Sequence, residues 1–277
     1  MLVGFNAWAR GYSHIAKDKP CQDAANYWLH NGLKRAGIAV VADGHGGEKY
    51  FRSKTGSKFA VKIAIKVIRE FYERFNPVKD RDFLEKNVER IKQNIIRLWR
   101  IRVVKDIRQN AWTSEERTLC DEKRNINLDD ENTDKLISIY GTTLVAALIT
   151  DDLWFAIQIG DGACVLINRD DKAEIVITPD DEQSFGYTHS ICSPNAAEKF
   201  KHRFGNEGIS GLTVATDGVS DSFLPDKYLE FNRTLRENFV RDAETTRNEL
   251  KNYLPRLSEQ GSRDDMAIAG IFDLKEK

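Results

Sequence analysis

The sequence predicts an α+β fold of two sheets with flanking helices, arranged as one domain over residues 1–277. Three observations predict it. Short apolar runs recur along the chain, each bounded by acidic or glycine-rich turns of the kind that end strands. Two long stretches of helical period separate the early runs from the later ones. No internal repeat, low-complexity tract or Pro/Gly/Ser linker divides the chain, and 277 residues are enough to bury a substantial core.

Residues 2–9 and 24–30 carry aromatic and alternating residues that predict two strands, and 37–42 (GIAVVA) reads as a short buried strand ending at Asp43. Helical spacing then takes over. Ala64, Ile68, Phe71 and Phe75 share one face, and after Asn76-Pro77 a second stripe runs Leu84, Val88, Ile91, Ile95 and Leu98. Both stripes are expected to pack on a sheet. Residues 113–135 (TSEERTLCDEKRNINLDDENTDK) are polar and without clear period, which predicts a loop or insertion whose Asp129-Asp130-Glu131 stretch is solvated.

From Ile139 the β-type segments GTTLVAALI, LWFAIQI, ACVLIN and AEIVIT follow one another across Asp-Asp, Gly-Asp-Gly and Arg-Asp-Asp turns, a spacing that predicts an antiparallel meander. Residues 179–210 read as an irregular excursion with one short helix over 194–202. A buried strand over 212–216, mostly helical sequence over 226–257 and a last strand over 265–272 complete the order.

Lys and Arg total 42 against 43 Asp and Glu, so the net charge of −1 supplies no global field to attract nucleic acid or an anionic membrane. The first 13 residues lack a basic leader and an apolar core, and no window reaches the 18 apolar residues of a membrane span. A cytoplasmic protein is the expectation. Cysteines at 21, 120, 164 and 192 lack the paired spacings of a zinc site and read as reduced thiols.

The chemistry lies in the turns. VVADGHGG (40–47), IQIGDGA (157–163), VATDGVSD (214–221) and GSRDDMAIAG (261–270) each set an aspartate directly beside an apolar strand that holds it rigid. If Asp43, Asp161, Asp217 and Asp264 meet at one edge of the core, their repulsion demands cations. All-oxygen ligands point to Mg²⁺ or Mn²⁺, and a pair of such ions suits hydrolysis of a phosphoryl group. His45, two residues after Asp43 in a flexible turn, is placed to protonate a leaving alkoxide.

These motifs, with YGTTLVAALI between the first and second, resemble in order the metal-dependent protein phosphatases of type 2C. The resemblance runs from about residue 10 to the last strand. The opening GYSHIAKDKPCQDA (11–24) is most similar to the bacterial branch of that family. The resemblance implies a four-layer α-β-β-α sandwich of two central antiparallel sheets, and hydrolysis of phosphoserine or phosphothreonine in a protein substrate by a metal-activated water. It implies two Mn²⁺ or Mg²⁺ ions, and a third in some members. Asp43 takes the bridging-ligand position and Gly44 that of a carbonyl ligand; Asp217 and Asp264 take the remaining carboxylates on the first ion. Asp161 takes the position linked to metal waters and the third ion, His45 that of the general acid, and Asp23 that of a carboxylate behind the ligands. Asp265 stands where Asn is common.

Two departures matter. Gln22-Asp23 replaces the common Glu-Asp, so the second ion would meet a neutral amide oxygen. The substrate-phosphate arginine four residues earlier is Asp18, leaving His14, Lys17, Lys19 and Arg263 as candidates for that charge. These departures motivate the alternative reading, a catalytically weak module that binds a phosphoprotein or senses metal. An aspartyl phosphotransferase ranks last, because the residue two after Asp43 is His45 and the DxD spacing is missing. Residues 180–208 fall where the family has a flap beside the site.

Overall fold

The computed structural model describes residues 1–75, 81–123, 133–177 and 188–274. Ten strands form two antiparallel five-stranded sheets. One sheet runs β1 (Leu2–Ala9), β10 (Met266–Asp273), β9 (Ile209–Ala215), β6 (Ala163–Asn168), β7 (Ala173–Ile175). The other runs β2 (Ala24–Asn31), β3 (Arg35–Ala42), β4 (Leu144–Thr150), β5 (Trp154–Ile159), β8 (Lys201–Gly205).

The strands read as continuous apolar runs because both of their faces are covered. In β3, Ala39 and Val41 point into the inter-sheet core, where they join Val145 and Ala147 of β4 and Ala267, Ala269 and Ile271 of β10. Ile38 and Val40 point the other way, to the core formed with α2 (Ser53–Phe75) and α3 (Arg81–Gln109). The second sheet turns Phe5, Val165, Ile268 and Phe272 towards α8 (Pro225–Arg241) and α9 (Ala243–Gln260). Helices, sheet, sheet and helices make four layers, as expected. Each fully buried Ile, Leu or Phe contributes about 1.5–3 kcal/mol.

The helical stripes pack as their spacing requires. Ala64, Ile68 and Phe71 of α2 and Leu84, Val88, Ile91 and Ile95 of α3 are buried, while Phe75 and Leu98 pack partly buried against the same core. Trp99, fully buried, also donates to the Gly56 carbonyl at 3.0 Å, tying α3 to α2. Between α8 and α9 the chain breaks at Asp242, an extended residue whose side chain accepts from the amides of Glu244 and Thr245.

Three expectations are corrected. The meander is two hairpins: β4 pairs with β5 and β6 with β7, but β5 and β6 lie in different sheets. Gly160-Asp161-Gly162 is therefore a crossover, and Gly160 takes φ +99°, a left-handed conformation natural to glycine. Residues 201–205, expected in an irregular stretch or helix end, form strand β8 after the single turn α6 (Ala196–Lys199). The polar segment is in part helical: α4 (Ser114–Lys123) and α5 (Thr133–Ser138) occupy it, while Asp129-Asp130-Glu131 lie outside the described residues, as does 180–187 of the expected flap. A short helix α1 (Tyr12–Ala16), not foreseen, opens the 11–24 motif. The cysteines are free thiols, and no helix among the described residues is long and apolar enough to cross a membrane.

What holds polar α4 is a buried ion pair rather than an apolar stripe. Arg52 Nε and Nη2 meet Glu116 Oε1 and Oε2 at 2.6 and 2.8 Å, and the guanidinium stacks 4.0 Å from the Trp112 ring. Removing Glu116 leaves the buried Arg52 guanidinium without its bidentate partner and with only Asp106, 3.8 Å away, as a carboxylate. Glu116→Ala is therefore expected to destabilise the protein by about 2 kcal/mol in chemical denaturation; a change near zero would show that α4 is not held this way.

Candidate metal centre

The two sheets bring four acidic turns to one end of the sandwich. Asp43 follows β3, Asp161 lies in the β5–β6 crossover, Asp217 opens the single turn α7 (Asp217–Ser220) after β9, and Asp264 precedes β10. One carboxylate oxygen each from Asp43, Asp161 and Asp217 lies within 4.8 Å of the others, a spacing that can hold a metal ion. Asp264 is more exposed, yet its charge reaches both Asp43 and Asp217.

The backbone beneath Asp43 is locked by the GTT of YGTTLVAALI. Thr143 Oγ1 accepts from the Asp43 amide at 3.0 Å, and the Asp43 carbonyl accepts from the Thr143 amide at 2.8 Å and from Thr142 Oγ1 at 2.7 Å. Gly44 bridges to Thr142, and a Cβ there would lie 2.7 Å from the Gln22 carbonyl and 2.8 Å from that of Ser53, so no side chain fits. Asp217 Oδ1 accepts from the Gly218 amide at 2.7 Å. Thr188, at the edge of the described flap, donates to Asp161 Oδ2 at 2.7 Å.

Asp23 stands behind Asp43, buried, and accepts from Thr216 Oγ1 at 2.7 Å. Burial, and then the neighbouring carboxylates, push Asp43 and Asp217 well above the usual carboxylate range; burial does the same to Asp23, where the Thr216 hydrogen bond opposes it. Burial drives the His45 imidazole the other way, down to about 4. Its ring packs 4.8 Å from that of Tyr50, and its amide donates to the Gly141 carbonyl.

Gln22 is fixed by α2 and by the turn itself. Its Nε2 donates to the His45 carbonyl at 3.1 Å and to Ser53 Oγ, and its own carbonyl accepts from Ser57 Oγ. That leaves Oε1 buried with no hydrogen-bond donor among the described residues, and Asp161 Oδ1 is in the same position. Two orphaned acceptors beside crowded carboxylates fit a hard cation, which supplies the missing partner.

Asp265, buried, ties the 11–24 segment to β10. It accepts from the amides of Gly11 and Gln22, both at 2.6 Å, and pairs with His14 Nδ1 at 2.9 Å. This hydrogen bond raises the His14 pKa. Lys19 Nζ donates to the Gly46 carbonyl at 3.2 Å, within the glycine turn. Lys17 is exposed at the end of α1, and the Arg263 guanidinium lies over the Tyr12 ring at 4.8 Å. Asp18, exposed at φ +49°, pairs with Arg10.

Sequence reasoning missed Thr142, Thr143, Thr188, Thr216 and Ser53, which carry no marked charge pattern; the GTT motif was the only signal pointing to two of them.

A profile described as Protein phosphatase 2C matches residues 10–255. No curated protein matches the sequence. Among solved structures, a bacterial serine phosphatase has TM-score 0.58 and 14% identity, covering 100% of each chain. The serine/threonine phosphatase Stp1 from Staphylococcus aureus has TM-score 0.58 and 14% identity, covering 99% of this chain and 95% of that one. The catalytic domain of the serine/threonine phosphatase PstP, in complex with two manganese ions, has TM-score 0.55 and 14% identity, covering 98% of this chain and 97% of that one. At such identities these likenesses show the shared fold.

The raised carboxylates set a pH dependence. A carboxyl whose folded pKa exceeds its unfolded value near 4 favours folding fully below that value, and this contribution is lost as pH rises through the folded pKa. In chelator, Asp43→Asn is expected to melt several degrees above the unsubstituted protein at pH 7, the gap closing towards pH 4. With Mn²⁺ present the order reverses. Thermal unfolding followed by circular dichroism at both pH values checks this, and equal midpoints in chelator at pH 7 would refute it.

Proposed function

The chain belongs to the protein phosphatase 2C family, and on that premise we propose that it hydrolyses phosphoserine and phosphothreonine in protein substrates using Mn²⁺ or Mg²⁺ held by its aspartates. One observation carries the reading: Asp43, Asp161 and Asp217, three of the four strand-end aspartates, converge beside buried oxygens that have no hydrogen-bond donor among the described residues. The two manganese ions of the PstP structure support the choice of ion.

Two ions would be held by Asp43, Asp217 and Asp264, with the Gly44 carbonyl and Gln22 Oε1 on the second; Asp161 would serve a third or act through water. When bound, such ions supply the charge that makes water nucleophilic at neutral pH and neutralises phosphoryl oxygens. Asp23 and Asp265 hold the ligands' surroundings in place, one behind Asp43 and the other across the 11–24 segment. Lys19, anchored on Gly46, is the best-placed side chain for the substrate phosphate; among the described residues nothing directs Lys17 there, and Arg263 is turned onto Tyr12.

His45 borders the glycine turn and serves the leaving oxygen. Neutral at pH 7 because it is buried, its imidazole offers an N–H to that oxygen, and the approach of a phosphate dianion raises its pKa and favours full proton transfer. Action on cytoplasmic bacterial phosphoproteins, reversing Ser/Thr phosphorylation in signalling, belongs to the same proposal.

Mn²⁺-dependent release of phosphate from a phosphothreonine peptide tests the reading. Asp217→Asn is expected to lower kcat by about 10²–10³, the scale of removing a preorganised electrostatic group. A protein no more active than an Asp43→Asn, Asp217→Asn double variant, with either metal, would defeat it.

The role of His45 has its own test. His45→Gln should lower kcat by about 10² on the phosphothreonine peptide and leave an aryl phosphate almost unaffected, because a phenolate leaves without a proton. Equal losses on both substrates would remove His45 as proton donor.

A further inference from the structure

We propose that His14 is a nitrogen ligand of a divalent cation at the Gln22 edge of the carboxylate cluster, so that this site takes a Mn²⁺-class ion in preference to Mg²⁺. The inference deepens the cation-site reading above and rests on it.

The orientation of the ring comes first. His14 is about nine-tenths buried, and its Nδ1 lies 2.9 Å from Asp265 Oδ2. Asp265 is an acceptor here, already taking hydrogen bonds from the Gly11 and Gln22 amides. Nδ1 therefore carries the hydrogen, and in the neutral ring Nε2 keeps the lone pair. A carboxylate behind one imidazole nitrogen with the other nitrogen open is the arrangement that orients metal-bound histidines and raises their basicity.

The surroundings of Nε2 come second. It lies 3.9 Å from Asp264 Oδ1. A Cβ placed on Gly46 would lie 3.8 Å from Nε2 and 3.7 Å from Gln22 Oε1, so both atoms face the same small space over that glycine. Among the described residues Gln22 Oε1 is buried and without a donor, although the contacts of Nε2 of the same amide fix its direction. Two acceptors, His14 Nε2 and Gln22 Oε1, thus meet over Gly46 beside Asp264 Oδ1, which accepts from the Asp265 amide at 2.8 Å and keeps a further lone pair for a cation. Two atoms bound to one cation at roughly 2.1 Å each lie roughly 3–4.2 Å apart, a range that includes the His14–Asp264 separation. An anion at Nε2 would stand against the Asp264 carboxylate, whereas a cation gives every acceptor a partner.

The ligand chemistry sets the ion. Mg²⁺ takes oxygen almost exclusively; Mn²⁺ shares the preference for oxygen but opens the first-row series of divalent ions that bind mixed nitrogen and oxygen sites. Gln22 supplies no charge, and a basic nitrogen next to it compensates with a stronger donor.

Pulsed EPR of the full chain loaded with Mn²⁺, with and without ¹⁵N-labelled histidine, tests this without altering His14. A directly bound imidazole nitrogen is expected in the unsubstituted protein and in His45→Ala, which removes the other histidine at the site. Calorimetry adds a second readout: His14→Gln should weaken Mn²⁺ binding about 10–100-fold and Mg²⁺ binding by less than about threefold. Mn²⁺ bound without histidine-nitrogen coupling, or a His14→Gln protein with unchanged Mn²⁺ affinity and a raised KM, would overturn the inference while leaving the cation site standing. No Mn²⁺ binding at all would overturn both.

Discussion

Carboxylates crowded at one end of the sandwich are the constraint around which this molecule is organised. Each is carried there by a strand whose position is set by apolar packing on both faces, so none can retreat without disturbing the core. Asp43 and Asp217 are pushed well above the usual carboxylate range, and Asp23 behind them shares the same burial. The core's packing energy holds the arrangement together against this repulsion, which only protons or cations relieve.

The opposite end of the sandwich makes the contrast. There Arg35 binds Asp151 and, at 2.8 Å, Asp273, joining the start of β3 to the end of β10 with the opposing charge supplied by the chain itself. Among the described residues no arginine or lysine pairs with Asp43, Asp161 or Asp217. Neutral groups position this end instead: Thr142 and Thr143 on the Asp43 backbone, Thr188 on the Asp161 carboxylate, the Gly218 amide on the Asp217 carboxylate. Hydroxyls and amides orient a carboxylate without cancelling its charge. The same fold therefore closes one acidic end internally and leaves the other to an external cation.

Much of the fold was legible because its signals are local. Doubly covered strands such as GIAVVA and LVAALI stand out by composition, and the stripes of α2 and α3 by period. Features that depend on distant partners were not. A Gly-Asp-Gly turn reads alike whether it closes a hairpin or carries the chain into another sheet, and only the pairing of β5 with β8 and of β6 with β9 decides it. Strand β8, KHRFG, is a polar edge strand without alternation. Within the site, the aspartates announced themselves through glycine neighbours, whereas the contact of His14 with Asp265 spans 251 positions and leaves no local trace.

Helix α4 shows how a segment with no apolar period still bears on the site. Its Glu116 holds Arg52, which closely follows the turn of residues 48–50 packed beside His45. Arg52 Nη1 also donates to the Tyr140 hydroxyl at 2.9 Å, and that hydroxyl donates to Asp106 Oδ2 of α3 at 2.8 Å. Tyr140 begins the YGTT segment whose next residues receive the His45 amide and grip the Asp43 carbonyl. A buried charge network thus runs from α4 through Arg52 and Tyr140 to the backbone that sets both residues. Because buried ion pairs are stiff only while every partner is present, the polar segment bears on the geometry of the acidic end although it supplies none of the aspartates gathered there.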